Sequence, residues 1–243
     1  MKAPTLSEQE QFWDDWVYRS FKWQQNPDNK QRAAYILKEV VTYCKYSHKN
    51  IKILDVGCGS GWLSRELLKY GDVTATDLSP EAIKQLEGRF SDIKWIAGDF
   101  LSVELPETDY HIVTCLETIA HVPDQKAFAH RISQVTQSGG LLLLTTQNEY
   151  VWSHSSRLGP PGEGEIRNWP SRTRLKELFG PYFSIDKILT CAPAGDKGVL
   201  RLLNNRISRA IERRLPQFGQ NLWIKLREKI GTGCSLFLKG IRL

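Results

Sequence analysis

The sequence Ile51-Lys-Ile-Leu-Asp-Val-Gly-Cys-Gly-Ser-Gly61 decides the fold of this chain. Four of its first six residues are apolar and three are β-branched, which is typical of a strand buried on both faces. Gly57, Gly59 and Gly61 then allow a tight turn and a close approach of the backbone to a ligand, and residues 62–70 follow at helical spacing. The free N–H groups of that helix would point at the ligand. The stretch therefore predicts strand, glycine turn and helix, the opening of a nucleotide-cofactor site.

Two acidic residues indicate which kind of cofactor this site prefers. The glycines read G-x-G-x-G, whereas a dinucleotide site reads G-x-G-x-x-G. The second apolar run ends at Asp77, where a carboxylate can accept hydrogen bonds from both hydroxyls of a ribose. Asp55 ends the first strand, where it would repel a pyrophosphate and attract a sulfonium and an amino group. A dinucleotide oxidoreductase is therefore disfavoured.

Strand and helix patterns alternate along the chain from residue 51 to residue 145. Helices are predicted over 30–46, 62–70, 80–90 and 124–136, and strands over 51–56, 73–76, 93–97, 109–116 and 141–145, with a turn at Gly139-Gly140 before the last of these. Further strands are predicted over 182–189 and 235–241, with a short helix after Ser171. Such alternation predicts an α/β fold with a parallel, doubly wound sheet.

Four motifs in this order resemble those of class I S-adenosylmethionine (SAM) methyltransferases. They are Leu54-Asp-Val-Gly-Cys-Gly-Ser-Gly61, Thr76-Asp77, Gly98-Asp-Phe100 and Leu116-Glu-Thr-Ile-Ala-His-Val-Pro123. The similarity is strongest to the branch with quinone-biosynthesis and natural-product enzymes, and it covers residues 30–148 well. It implies SAM as cofactor, S-adenosyl-L-homocysteine as product, and a seven-stranded, Rossmann-like, mostly parallel sheet whose last strand is antiparallel between the fifth and the sixth.

The resemblance also implies which residues bind the cofactor. They are Asp55, Gly57, Cys58, Gly59, Gly61, Asp77, Leu78, Asp99, Phe100 and Leu116. The glycine turn would support the methionine portion, with Asp55 beneath it and Leu116 beside it. Asp77 would take the ribose hydroxyls. Asp99, the Phe100 backbone and Leu78 would surround the adenine.

His121 and Glu117 are the candidate catalytic residues, because both follow the fourth strand where the family places groups near the transferable methyl. An imidazole at this position could take a proton from the acceptor, a contribution worth about 10²–10⁴ in rate. A structural role, in which His121 binds the loop backbone, is an equally open interpretation. Glu117 could orient His121 or a basic substrate, or be a surface acid.

The chain is predicted to be one methyltransferase domain over residues 1–243. Its parts are an N-terminal aromatic lid (1–30), a cofactor-binding core (31–148), an active-site loop (149–170) and a basic helical insertion (197–230). Ser7 and Glu10 have the form of a capping box for a helix that either packs on the domain or covers the substrate. Residues 147–170 lack periodicity and are predicted to be a long functional loop. Candidate substrate contacts in these segments are Trp16, Tyr18, Trp152, His154 and Arg157.

The basic insertion concentrates the charge of the chain, whose formal net charge is +6. Between residues 197 and 230 there are nine Lys or Arg and two acids. Two helices broken at Pro216-Gln-Phe-Gly219 are predicted there. A solvated face, a substrate lid and a helix on an anionic membrane surface are three interpretations that the pattern leaves open.

Composition narrows the class of partner and the compartment. The five cysteines are scattered without a C-x-x-C pair, which favours reduced thiols and a cytoplasmic protein over a disulfide scaffold or a zinc site. No metal is expected, because no carboxylate and histidine cluster has ligand spacing. Localised charge and the absence of the base-methyltransferase motifs argue against a nucleic-acid substrate.

These observations predict a SAM-dependent methyltransferase that acts on a small molecule. Because tryptophans cluster on the candidate lids, the favoured acceptor is an oxygen on an aromatic or prenylated metabolite, with carbon or nitrogen close behind. One alternative is an enzyme that acts on a lipid-linked substrate at a membrane through the basic insertion. Another is a SAM-binding regulator without catalytic activity.

Overall fold

A computed structural model describes residues 3–20, 27–46, 50–155, 158–193, 210 and 214–243 of the chain. The strands are β1 (Lys52–Val56), β2 (Asp72–Asp77), β3 (Lys94–Ala97), β4 (Tyr110–Leu116), β5 (Thr136–Gln147), β6 (Phe183–Pro193) and β7 (Gly233–Arg242). The helices are α1 (Leu6–Ser20), α2 (Pro27–Tyr46), α3 (Trp62–Leu67), α4 (Pro80–Glu87), α5 (Gln125–Val135), α6 (Glu149–Ser155), α7 (Arg172–Phe179) and α8 (Gln217–Lys229).

The seven strands form one sheet in the order β3-β2-β1-β4-β5-β7-β6. The pairs among β1 to β5 are parallel, whereas β7 is antiparallel to both β5 and β6. The direction in which successive strands are added reverses between β1 and β4, because β2 and β3 lie on one side of β1 and β4 and β5 lie on the other. Ligands of open α/β sheets bind at such a point, outside the carboxyl ends of the strands. The predicted fold class, including the antiparallel last strand between the fifth and the sixth, is therefore confirmed.

Helices cover both faces of the sheet, so each central strand is buried on two sides. Because successive strand residues point to opposite faces, Ile53 packs with α2, α3 and α4, while Leu54 packs with α5 and α7. Both side chains are fully buried. This double burial explains why β1 reads as a nearly continuous apolar run rather than as an alternating one.

Helix caps hold the connections between the strands. The Ser79 hydroxyl accepts from the N–H of Ala82 at the start of α4, and the Asp124 carboxylate accepts from two N–H groups at the start of α5. Ser171 caps α7 in the same way. Helices α4 and α5 follow β2 and β4, so their caps fix the geometry of the loops at the ligand-binding edge.

Several predicted boundaries are wrong. The capping box of α1 uses Thr5 and Glu8 rather than Ser7 and Glu10, because the helix begins at Leu6. Helix α2 begins at Pro27 instead of residue 30, since proline is well tolerated in a first helical turn.

Two segments predicted as irregular also carry regular structure. The long loop contains α6, which follows β5 after only Asn148. The predicted turn at Gly139-Gly140 lies inside β5, where the pairing with β4 shifts register between Tyr110 and Ile112. The glycine pair thus accommodates an irregularity within the strand.

The basic insertion is described only in part. Its second predicted helix is present as α8 and begins just after Pro216. Before the predicted break at Pro216, the structure describes only Ala210, Arg214 and Leu215 of the insertion, so its first predicted helix lies mostly outside the described residues. Within the described chain, no helix combines the length and the apolar composition needed to cross a bilayer.

Candidate active site

The glycine turn after β1 has a backbone shape that only glycine adopts at low cost. Gly57, Gly59 and Gly61 have φ angles of 74°, 54° and 67°. The N–H groups of Gly57 and Cys58 both donate to the carbonyl of Thr76, at 2.8 and 2.9 Å. A Cβ on Gly57 would lie 2.1 Å from the Oγ1 atom of Thr118, so no side chain fits there. The turn is thereby packed between β2 and the loop that follows β4.

Asp77 ties the end of β2 to the glycine turn. One carboxylate oxygen accepts from the N–H of Gly59 at 2.7 Å, and the other accepts from the N–H of Ser79 at 3.0 Å. Burial raises the pKa of Asp77, while these backbone donors oppose the rise. Each oxygen keeps a further lone pair for a ligand hydroxyl.

Asp55 lies beneath the turn and is buried at 1% exposure. Its two oxygens accept from the hydroxyls of Ser64, at 2.6 Å, and Thr114, at 2.8 Å. Burial raises the pKa of Asp55 to about 6, against the lowering effect of these two hydroxyls. This carboxylate is therefore held by its own neighbours and acts on a ligand mainly through its charge.

The loop after β3 forms the opposite end of the site. The Asp99 carboxylate accepts from the N–H of Leu101 at 3.0 Å, which fixes the direction of its side chain. Phe100 is buried against Phe128, with ring centroids 5.3 Å apart in an edge-to-face arrangement. Leu78 lies between this loop and Asp77 in the cavity wall. The arrangement provides one acceptor and apolar surface for a flat heterocycle.

His121 lies in a single 3₁₀ turn, Ile119–His121, directly after β4. Its Nδ1 atom is 2.8 Å from the carbonyl oxygen of Ile166, and its Nε2 atom is 3.3 Å from the amide nitrogen of Gln147. Because a carbonyl can only accept, Nδ1 carries the hydrogen and Nε2 carries the lone pair. The ring also meets Trp13 of α1 edge to face, with centroids 4.8 Å apart. Burial lowers the pKa of His121, which favours the neutral form.

Glu117 forms an ion pair with Arg32, a residue that the sequence analysis does not predict to be part of the site. The Nε atom of Arg32, on α2, lies 3.5 Å from a Glu117 carboxylate oxygen and donates to the hydroxyl of Ser235 at 2.7 Å. Glu117 itself has a φ of 64°, an uncommon value for a residue with a side chain. The partners of His121 are Ile166 and Gln147, so the placement of Glu117 favours a role with Arg32 over a role in orienting the histidine.

One cavity of about 430 Å³ joins these groups. Nine of the ten predicted cofactor residues line it, and Gly61 is the exception. Gly61 precedes α3 and packs against Trp95, since a Cβ there would lie 2.5 Å from that ring. His121 and Glu117 line the same cavity, so the structure brings both predicted catalytic residues to the predicted cofactor site.

Aromatic side chains from two other segments form the far wall of the cavity. Trp13 and Trp16 of α1 line it, and so does Trp152 of α6, whose ring nitrogen donates to the carbonyl of Cys234 at 2.8 Å. The Ser79 hydroxyl donates a hydrogen bond to the carboxylate of Asp14 on α1, and this bond fixes α1 over this side of the sheet. Helix α1 therefore covers the cavity, which is the position that a substrate lid requires.

Of the remaining predicted substrate residues the structure describes the side chain of His154, which does not line the cavity. His154 is exposed on α6, where it stacks on Tyr150 and bonds to that residue's carbonyl oxygen at 3.0 Å. The helical course of α6 turns it away from Trp152. The side chain of Tyr18 and all of Arg157 lie outside the described residues.

Sequence reasoning missed Trp13, Arg32 and Gln147 as site residues. Gln147 ends β5, so the rule that ligands bind at the carboxyl ends of parallel strands could have identified it. Trp13 is one of several aromatic residues in the N-terminal segment, and nothing in its spacing sets it apart from the others. Nothing in the helical pattern of α2 marks Arg32, because a buried arginine reads as one more polar residue in an amphipathic helix.

Comparison with known proteins finds similarity to methyltransferases. Residues 53–140 match the family model described as a methyltransferase domain. The ubiquinone biosynthesis O-methyltransferase of Idiomarina loihiensis is 38% identical over 136 residues, which is 53% of this chain and 55% of that protein. Its counterpart in Leptothrix cholodnii is 36% identical over 106 residues, 40% of this chain and 45% of that protein. The chain thus spans about half the length of these curated relatives.

The solved structures show a likeness in fold. The N-methyltransferase NodS from Bradyrhizobium japonicum, in complex with S-adenosyl-L-homocysteine, aligns with a TM-score of 0.65 at 14% identity over 97% of this chain and 98% of that one. A SAM-dependent methyltransferase from Clostridium acetobutylicum aligns with a TM-score of 0.61 at 13% identity, over 94% and 97% of the two chains. Sheet order and helix placement are those of class I methyltransferases.

The residues that line the cavity fit SAM, which is the cofactor of such a domain. The oxygen of the Gln147 amide is buried and has no hydrogen-bond donor within the described part of the structure. It lies in the same cavity as the Glu117 carboxylate, so two acceptors stand near the turn where a ligand with an ammonium group would be bound. A pyrophosphate would instead meet the negative charges of Asp55 and Asp77.

Proposed function

We propose that this chain, whose central part is a class I methyltransferase domain, transfers the methyl group of SAM to an oxygen of a small aromatic or prenylated acceptor. One observation carries the proposal. A single cavity contains the glycine turn, Asp77 and Asp99 together with the unprotonated Nε2 atom of His121. A cofactor site and a proton acceptor therefore lie within one enclosed space.

The residues of this chain have three tasks in the proposed reaction: they bind the cofactor, orient the acceptor and exclude water from the reacting atoms. Asp77 and Asp99 hold the two ends of the nucleoside, and the glycine turn lets the backbone approach the methionine end. SAM supplies the electrophilic methyl group when bound. Trp13, Trp16 and Trp152 present flat apolar surface for an aromatic acceptor and shield the reacting atoms from solvent. The alignment of the acceptor oxygen, the methyl carbon and the sulfur accounts for most of the rate of such an in-line displacement.

His121 is proposed to take the proton of the acceptor hydroxyl on its Nε2 atom. The Ile166 carbonyl, which accepts from Nδ1–H, would stabilise the imidazolium that forms. The Gln147 amide N–H donates to Nε2 of the neutral ring, so this amide would have to turn away or present its oxygen when Nε2 takes the proton. A base at this position is compatible with a hydroxyl acceptor, whose proton must leave when the methyl group is transferred. The O-methyltransferase names of the relatives support the same choice.

Calorimetric titration with S-adenosyl-L-homocysteine, with NADH as the control, tests the cofactor assignment. We expect binding of S-adenosyl-L-homocysteine at micromolar affinity, roughly −8 kcal/mol, and no heat from NADH. Binding of NADH alone would contradict the proposal. Binding of S-adenosyl-L-homocysteine by a protein that releases none from SAM with a broad panel of phenols and catechols would favour a regulator without catalytic activity.

The pH dependence of turnover follows from the environment of His121. Burial lowers its pKa below the ordinary value of 6.5, an effect that the Ile166 bond and the Glu165 charge oppose and the Arg167 charge reinforces. The base is needed in its neutral form, so kcat/KM is expected to rise with pH, with the midpoint of the rise below pH 6.5. Asp55 has a pKa of about 6 and therefore titrates in the same pH range as His121. Measuring the affinity for S-adenosyl-L-homocysteine over this range separates an effect of Asp55 on cofactor binding from an effect of His121 on turnover. An acid limb centred above pH 6.5 would exclude His121 as the group observed.

A further inference from the structure

Four large apolar side chains on α8 or directly after it lie on the outside of the protein, whereas Trp223 and Ile224 of the same helix are half-buried. Phe218, Leu222, Leu226 and Ile230 recur at every fourth position and are 80, 59, 49 and 56% exposed. Residues four apart share one face of a helix, so these side chains form a continuous stripe, here called the α8 stripe. A surface helix normally buries such a stripe and exposes its polar side, and α8 does the reverse.

The buried face of α8 is polar and is held by specific bonds. The Glu228 carboxylate accepts from the side chains of Tyr35 and Gln31, both on α2, and the Glu228 carbonyl accepts from the Thr190 hydroxyl on β6. Arg227, also buried, lies over the ring of Trp223 with 5.8 Å to its centroid. Turning the helix to bury the stripe would break these contacts. The outward direction of the apolar side chains is therefore built into the packing of α8.

The charges beside the α8 stripe are positive. Lys225 and Lys229 are exposed on α8, and Arg214 is exposed just before it. They belong to the segment 197–230, in which nine Lys or Arg oppose two acids. A helix with apolar side chains flanked by cations is suited to the boundary between the headgroups and the acyl chains of an anionic bilayer. A face for another protein would not need this excess of one charge.

We infer that α8 docks the protein on the surface of a membrane that contains anionic phospholipids. The α8 stripe enters the headgroup boundary, and the two lysines with Arg214 face the lipid phosphates. Helix α2 joins this face to the active site, because its Gln31 and Tyr35 hold α8 while its Arg32 lines the cavity. Docking is independent of the proposed methyl transfer. Only the further step, in which a lipid-linked acceptor enters the cavity from that membrane, rests on it.

Flotation of the full chain with lipid vesicles tests the docking. The probes are vesicles of phosphatidylcholine alone and vesicles of phosphatidylcholine mixed with phosphatidylglycerol. We expect binding to the mixed vesicles alone, weakened by salt. Replacing both lysines by glutamate (K225E with K229E) is expected to reduce the partition constant roughly 30-fold or more, at about 1 kcal/mol for each cation lost. A folded protein that floats with neither vesicle would overturn the inference.

A second pair of variants tests the α8 stripe itself. F218S with L222S is expected to reduce the partition constant by roughly a hundredfold, because two large side chains no longer leave water. The matched controls are Tyr46→Ser, an exposed aromatic on α2, and K84E with K126E, which makes the same charge change elsewhere. Both controls are expected to bind as the parent does. If the stripe variant floats like the parent, or if it instead converts a dimer to a monomer in sedimentation velocity, α8 is not a membrane-docking face.

Discussion

Replacing Asp77 with alanine is expected to weaken the binding of S-adenosyl-L-homocysteine by about a hundredfold or more, because hydrogen bonds to a charged acceptor are worth about 1.5–3 kcal/mol each and two ribose hydroxyls lose theirs. The carboxylate also accepts from Gly59 and Ser79, so its loss removes a support of the glycine turn. Both effects act in the same direction. Calorimetric titration gives the affinity.

Two further variants separate these effects. Asp72→Ala removes an exposed acid from the opposite end of β2 and is expected to leave the affinity unchanged. Asp77→Asn keeps one acceptor oxygen without the charge, and an intermediate loss is expected. The thermal midpoint of each variant without ligand reports any collapse of the turn. An unchanged affinity in Asp77→Ala would place the ribose elsewhere in the cavity.

The core of the fold could be predicted because its determinants are local. The glycine turn requires glycines, β1 buried on both faces requires apolar residues, and the helix caps at Ser79 and Ser171 are visible as single residues. The position of the cofactor site can be predicted from these elements, because the carboxyl ends of parallel strands meet at one edge of a sheet. Asp77 is predicted for that reason, whereas His121 is predicted from the resemblance to class I methyltransferases.

The missed features depend on contacts between distant segments. Arg32 and Glu117 are 85 residues apart in the sequence, and only the packing of α2 beside β7 brings them together. The role of Trp13 likewise depends on where α1 lies over the sheet. The prediction that His154 contacts the substrate is not supported, and here the cause is local helix geometry rather than a distant contact. The sequence suggested an irregular loop there, but the helical course of α6 directs neighbouring side chains to different sides.

The reversed polarity of α8 shows the limit of pattern reasoning most clearly. Hydrophobic periodicity identifies a helix, and it is usually assumed to identify the buried face as well. In α8 the buried positions are Arg227 and Glu228, and partners on α2 and β6 satisfy the polar groups of Glu228. A buried polar pair with bonding partners is compatible with packing, and an exposed apolar stripe then calls for a different explanation.

Replacing His121 with alanine is expected to reduce kcat by about 10²–10⁴ and to leave the affinity for S-adenosyl-L-homocysteine nearly unchanged. The Nε2 atom is the group proposed to remove the acceptor proton, whereas the groups proposed to bind the cofactor are Asp77 and Asp99. His154→Ala is the matched control, because His154 is exposed and lies outside the cavity. The readouts are the release of S-adenosyl-L-homocysteine and calorimetric titration.

The acidity of the acceptor distinguishes a base from a structural histidine. With a series of phenols and catechols of falling pKa, the proton is increasingly lost before reaction, so the defect of His121→Ala should shrink as the acceptor becomes more acidic. A histidine that only supports the loop through Ile166 would give the same defect for every acceptor. Equal turnover of His121→Ala and the parent enzyme would show that proton removal belongs to another group or that the acceptor needs no base.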